Sequence, residues 1–159
     1  MASEYKVVVS GFAKGVDKQA LDSSIKYNGN SIIVLPQGIL TFDSGFKKYY
    51  NQINNGGVIV LSAFPVDAGW STSLAMARNK YIYGLAKEIY VAQTNTSGGT
   101  WSGATEGLKR KRDVFVYYPI HNEKSASYEL LKLGAKAVDF DGKRVNVKIP
   151  SQSIQLNLF

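Results

Sequence analysis

Short, almost wholly apolar runs alternate along the chain with longer segments in which apolar residues recur at helical spacing. The runs at residues 5–10, 31–35, 58–61, 88–92, 113–118 and 135–138 predict strands, and the segments at 16–27, 44–54, 72–85, 101–110 and 125–133 predict helices. Strands that are apolar on successive residues, rather than on every second one, imply burial on both faces. Their strict alternation with helices implies parallel pairing through right-handed crossovers. The expected architecture is therefore α/β: a Rossmann-like, doubly wound, mainly parallel sheet flanked by helices. Past Phe140 the pattern changes. Phe140-Asp141-Gly142-Lys143 has turn chemistry and 144–149 alternates, which predicts a small edge hairpin. The expected organisation is a Rossmann domain over 1–140, the hairpin over 141–150, and a flexible tail over 151–159.

Composition changes this picture little. Nineteen Lys and Arg against twelve Asp and Glu give a formal charge of +7, which suits an anionic partner. The absence of cysteine excludes disulfides, thiolate metal sites and a cysteine nucleophile, and His121 is the only histidine. No apolar run is long enough to span a bilayer and no signal sequence precedes Tyr5, so a cytoplasmic protein is expected.

In sheets of this kind a ligand sits outside the carboxyl ends of the strands, where helix N-termini point. Four loops qualify. Ser10-Gly11-Phe12-Ala13-Lys14-Gly15-Val16-Asp17 follows the first strand, with Asp17 as a helix cap or Lys14 and the amides as a phosphate cradle. Pro36-Gln37-Gly38 follows the second. The third leads through Trp70 to Arg78-Asn79-Lys80, where Arg78 beside Asn79 in an otherwise apolar helix suggests a phosphate or base contact. The fourth contains Ser97-Gly98-Gly99-Thr100-Trp101: a second anion cradle with Trp101 for base stacking, or a loop whose Thr100 caps a helix over a buried Trp101. Tyr49-Tyr50 and Tyr117-Tyr118 could stack on bases but read rather as core or interface, and Lys109 to Arg112 as a solvated helix end.

The stretches VVVSGFAKGVDKQAL, SIIVLPQGI, GGVIVLSAFP, ARNKYIYGLAKEIYVAQ, SGGTWSGATEGL and VFVYYP, in that order, resemble the DprA/Smf family of DNA-processing proteins. The resemblance runs from Tyr5 to about Asp139. It implies an extended Rossmann fold that binds single-stranded DNA without a cofactor or catalytic residue, forms a homodimer, and helps load the RecA recombinase. Carried over by motif, Ser10, Gly11, Lys14, Gly15 and Asp17 fall on the family's first phosphate-side loop and Gly38 on its second. Arg78, Asn79 and Lys80 fall on its ligand-face motif, and Ser97, Gly98, Gly99, Thr100 and Trp101 on its last glycine loop in a variant form. The chain departs from the pattern in three ways. Such domains open with an earlier strand and helix carrying a Gly-Ser-Arg turn, whereas this sequence starts at the second strand; that implies an unpaired sheet edge for a partner to cover. Thr41-Phe42-Asp43 stands where a tyrosine-proline step is usual, and no winged-helix segment is present.

The wider SLOG group also contains nucleotide sensors and LOG-type phosphoribohydrolases, which gives two alternative functions. As a hydrolase of nucleoside monophosphates, the chain would need Glu106 as acid/base. Finally, Gln155, Leu156, Asn157, Leu158 and Phe159 resemble the pentapeptide by which bacterial proteins dock on the DNA polymerase sliding clamp. There the apolar side chains would fill pockets and Gln155 would fix the register.

Overall fold

The computed structural model describes residues 6–118 and 125–148. The chain divides into two compact units, 1–87 and 88–159. Each unit contains a three-stranded, wholly parallel sheet flanked by helices, which is the α/β class expected from the sequence.

In the first unit β1 (Val8–Ser10), β2 (Ser31–Val34) and β3 (Val58–Leu61) lie side by side in chain order. Helix α1 (Val16–Lys26) links the first two, and a 3₁₀ turn (Ile39–Thr41) followed by α2 (Asp43–Asn54) links the next pair. Alternate residues of β2 point to opposite faces. Ile33 and Leu35 join Leu21 of α1 and Phe42, Tyr49 and Val58 in one buried cluster. Complete burial of such side chains stabilises the unit by roughly 1.5–3 kcal/mol each. Helix α3 (Thr72–Leu85) returns across β1 and β2 and contributes nothing to that cluster, which leaves it the face of Ile32 and Val34. Its first turn is capped by Ser71, whose Oγ accepts from the Leu74 N–H at 3.1 Å.

The second unit repeats the plan with β4 (Glu88–Val91), α4 (Gly99–Lys109), β5 (Asp113–Tyr117), α5 (Ala126–Lys132) and β6 (Lys136–Val138). Ile89, Val91, Val114, Val116, Leu130, Leu131 and Ala137 are buried. Gly107 lets α4 lie directly on the sheet, because a Cβ there would stand 2.4 Å from Cδ1 of Ile89. Tyr90 and Phe115 stack across the strands at 4.8 Å, with Lys136 and Arg144 over the Phe115 ring.

Three expectations are corrected. The hairpin after Phe140 shrinks to a turn and one isolated bridge between Val138 and Arg144, because Asp139 Oδ1 collects the N–H groups of Asp141 and Lys143. Residues 145–148 form no strand. Burial on both strand faces fails at β3, where Ile59 is 52% and Leu61 38% exposed, since α3 covers β1 and β2 instead. Helix α4 begins at Gly99, two residues before the expected start, with Gly98 as its N-cap, so Thr100 lies inside the first turn and caps nothing.

Candidate nucleic-acid interface

The loop after β1 is built from its own polar groups. Ser10 Oγ donates to the Asp17 carbonyl (3.0 Å) and accepts from the Phe12 N–H (3.1 Å), while the Gly11 N–H donates to Asp17 Oδ2 (2.9 Å). Asp17 therefore holds the loop rather than capping α1, whose N-cap is Gly15 at φ 93° with no side-chain cap. Phe12 takes φ 59°, an unusual conformation for a residue with a side chain. Its ring is fixed edge-on to Phe42 and Tyr49.

Arg78 completes this arrangement from α3. It is 6% exposed, and its Nη1 donates to the carbonyls of Gly11 and, at 2.6 Å, Val34, where β1 and β2 end. Its Nε donates to Asn79 Oδ1 at 3.3 Å. Burial pushes the guanidinium pKa down, opposed by the nearby Asp17 charge. A Cβ at Gly11 would sit 2.7 Å from the Arg78 guanidinium, so a side chain there would displace that group from the two carbonyls. Arg78 is thus an internal strut in this structure, not a free phosphate ligand. Lys80 lies about 200° further round the helix, exposed and over the Tyr81 ring. The expected Arg78-Asn79-Lys80 motif does not present one face.

Gly38 is also structural. It is buried, its N–H donates to the Ala68 carbonyl at 2.8 Å, and an added Cβ would lie 2.3 Å from the carbonyl oxygens of Pro65 and Val66. That leaves Ala13, Lys14, Gly15 and the start of α1 as the solvent-facing part of the first loop. Lys14 is exposed and has no ion-pair partner among the described residues. In the second unit Ser97, Gly98 and Thr100 are exposed, Gly99 and Trp101 half-buried, and Gly98 takes φ 90° to open a helix with no side-chain cap. Such termini favour anions.

The exposed aromatics differ from those expected. Trp70, in the loop before α3, is 63% exposed, and Tyr50 is as open, beside Lys47 and Asn51 in a shallow hollow on α2. Tyr49 and Tyr118 are core, as read from the sequence. The signal for Trp70 was its place between Gly69 and the helix cap Ser71, in a segment with no apolar period. Glu106 does not suit acid catalysis. It lies on the surface, bonded to Arg110 Nε at 2.7 Å, and that cation pushes its pKa down rather than up. His121 and Gln155 to Phe159 lie outside the described residues.

Parallel β-α-β units with glycine-bearing loops at the strand ends define a Rossmann-like α/β protein. Within that class, residues 1–146 match the family described as DNA recombination-mediator protein A, and the chain belongs to it. The chain is 31% identical to Protein Smf of Escherichia coli over 139 residues, covering 85% of this chain and 37% of that protein. It is 27% identical to DprA of Bacillus subtilis over 154 residues, 94% of this chain and 50% of that protein. It superposes on DprA of Streptococcus pneumoniae with a TM-score of 0.72 at 27% identity, over 86% of this chain and 49% of that one. A Helicobacter pylori DprA, described for its single-stranded DNA binding mode, gives 0.71 at 26% identity over 86% and 62%. The chain spans half or less of the length of these curated relatives.

Proposed function

We propose that this protein is a DprA-like accessory factor of DNA processing that binds single-stranded nucleic acid through the glycine loops at its strand ends. The observation that carries the reading is the open tip of the first loop. Lys14 stands exposed, without an ion-pair partner among the described residues, beside an α1 N-terminus that no side chain caps, on a chain of net charge +7. The likeness to the Helicobacter pylori DprA supports it. In this reading Lys14, Gly15 and the Gly98 to Trp101 turn meet phosphates, Lys80 adds a more distant cation, and Trp101 and Trp70 offer stacking surfaces. Ser10, Gly11, Asp17, Gly38, Arg78 and Asn79 act one step behind, by holding the loops in shape.

Three partners complete the proposal. The terminal Gln155-Leu156-Asn157-Leu158-Phe159 docks on the bacterial sliding clamp, a reading supported by its sequence pattern alone. A RecA-type recombinase and a second copy of the chain come from the family resemblance. Fluorescence anisotropy with a labelled oligothymidylate tests the core of the reading. Affinity should fall steeply from 50 to 200 mM salt, with a log–log slope of about −0.7 per phosphate engaged. No binding at 50 mM would refute it. A clamp pull-down with and without the last five residues tests the tail.

A further inference from the structure

Helix α2 carries a second surface that the glycine loops do not use. Its backbone breaks from helical geometry at Tyr49 (φ −109°, ψ 18°), and the two tyrosines there part ways. Tyr49 is 3% exposed and donates to Asp22, whereas Tyr50 is 63% exposed. The Tyr50 ring lies in a hollow shared with Phe46, Lys47, Lys48 and Asn51. Lys47 is exposed and has no ion-pair partner among the described residues. The acids nearby are engaged elsewhere. Asp22 holds the Lys48 ammonium at 3.0 Å, and Asp43 sits in the first turn of α2, where the helix dipole favours it. Through Asp22 the hollow adjoins α1. Lys18 stands one turn before Asp22, close enough to act on its carboxyl, and Lys14 precedes Lys18 by four residues. At a rise of about 1.5 Å per residue, Asp22 lies about 10 Å along α1 from Gly15.

We propose that this hollow is a further nucleotide subsite, in which Tyr50 stacks on a base, Asn51 hydrogen-bonds the base edge and Lys47 meets a neighbouring phosphate. It rests on the reading that the first loop binds single-stranded nucleic acid, and it names where the strand runs next. The lining selects this occupant. An exposed aromatic face accepts any base, a side-chain amide both donates and accepts, and an ammonium neutralises a phosphate. An apolar peptide would bury Lys47 and Asn51 without partners. Lys14 and Lys18 supply cations between the loop tip and the hollow. About three nucleotides of a stacked strand, at roughly 3.4 Å each, span that interval.

Fluorescence anisotropy of the full chain with a labelled oligothymidylate of about 15 nucleotides, long enough to pass both places, tests it. Tyr50→Ala should weaken binding about tenfold, and Tyr50→Phe, which keeps the stacking face, should stay near the wild type. Lys47→Ala should make the log–log salt dependence shallower by about 0.7. Both positions are exposed, so the far-UV circular dichroism spectra and urea midpoints of these variants should match the wild type. Affinity within about twofold of the wild type in Tyr50→Ala overturns the subsite and leaves the loop reading standing. An equal loss in Tyr50→Phe also overturns it, because stacking is then not the contact. A wild type that does not bind the strand at all overturns both readings.

Discussion

Arg78 separates a ligand from a strut, so its replacement is the most informative single change. Arg78→Met keeps the apolar stem and removes the guanidinium. The carbonyls of Gly11 and Val34 then lose their donor in a buried place. Each unsatisfied carbonyl costs roughly 1–3 kcal/mol. Removing a desolvated cation returns part of that, which leaves a net loss of about 3 kcal/mol. With a urea slope of about 2 kcal/mol per molar, the unfolding midpoint should fall by about 1.5 M. Urea titration followed by circular dichroism measures it directly. Arg78→Lys should fare little better, since one ammonium cannot reproduce the fork that spans two strand ends. If the midpoint moves by less than about 0.3 M while oligothymidylate affinity drops tenfold, then Arg78 is a surface ligand and the strut assignment is wrong.

Four further outcomes rest on particular contacts. Tyr49→Phe removes the 2.6 Å hydrogen bond to Asp22 that ties α2 to α1, and should cost about 1 kcal/mol in a urea melt. That bond, together with the smaller effect of Lys48, holds the Asp22 carboxyl below its ordinary 3.8 against the opposing effect of burial. The resulting stability is present above pH 3.8 and lost as pH falls through the lowered value, so Tyr49→Phe should flatten the acid limb of a stability–pH curve. Gly38→Ala forces a methyl against two backbone carbonyls and should destabilise the fold by more than about 3 kcal/mol, seen as a lower melting temperature or insoluble protein. Gly107→Ala meets mainly the mobile end of Ile89 and should cost only about 1–2 kcal/mol in the same melt. Glu106→Gln should leave oligothymidylate binding unchanged, and chromatography should detect no free adenine from AMP with either protein.

The elements were legible because the hydrophobic period changes sharply at each boundary. β3 and α3 match their expected limits residue for residue, and the other expected elements that fall on described residues are displaced by one to three residues at their ends. The hairpin was not legible, since the alternation after Arg144 does not reveal that Asp139 would tighten the turn or that Arg144 would lie over Phe115. The glycine loops are legible as turns at strand ends, but the contacts that several of their residues make inside the fold are not. Gly38 reads as a flexible turn, and only the approach of Pro65 and Val66 shows that its missing side chain is a packing requirement. Arg78 was recoverable. It falls in step with Ser71, Leu74, Ala75 and Ile82, the stripe that faces the sheet, while Lys80 does not. The exposure of Ile59 and Leu61 was hidden because an apolar run does not show which strands a returning helix covers.

The central claim is that phosphates meet the uncapped loop tips while the residues behind them hold the loops in place. Titrating an oligothymidylate into the ¹⁵N-labelled protein and tracking backbone amide shifts tests it residue by residue. The account predicts the largest changes at Lys14, Gly15 and Val16 and from Gly98 to Trp101, with Gly38 nearly still. Saturable binding whose shifts cluster on other surfaces, with these amides unmoved, would contradict it.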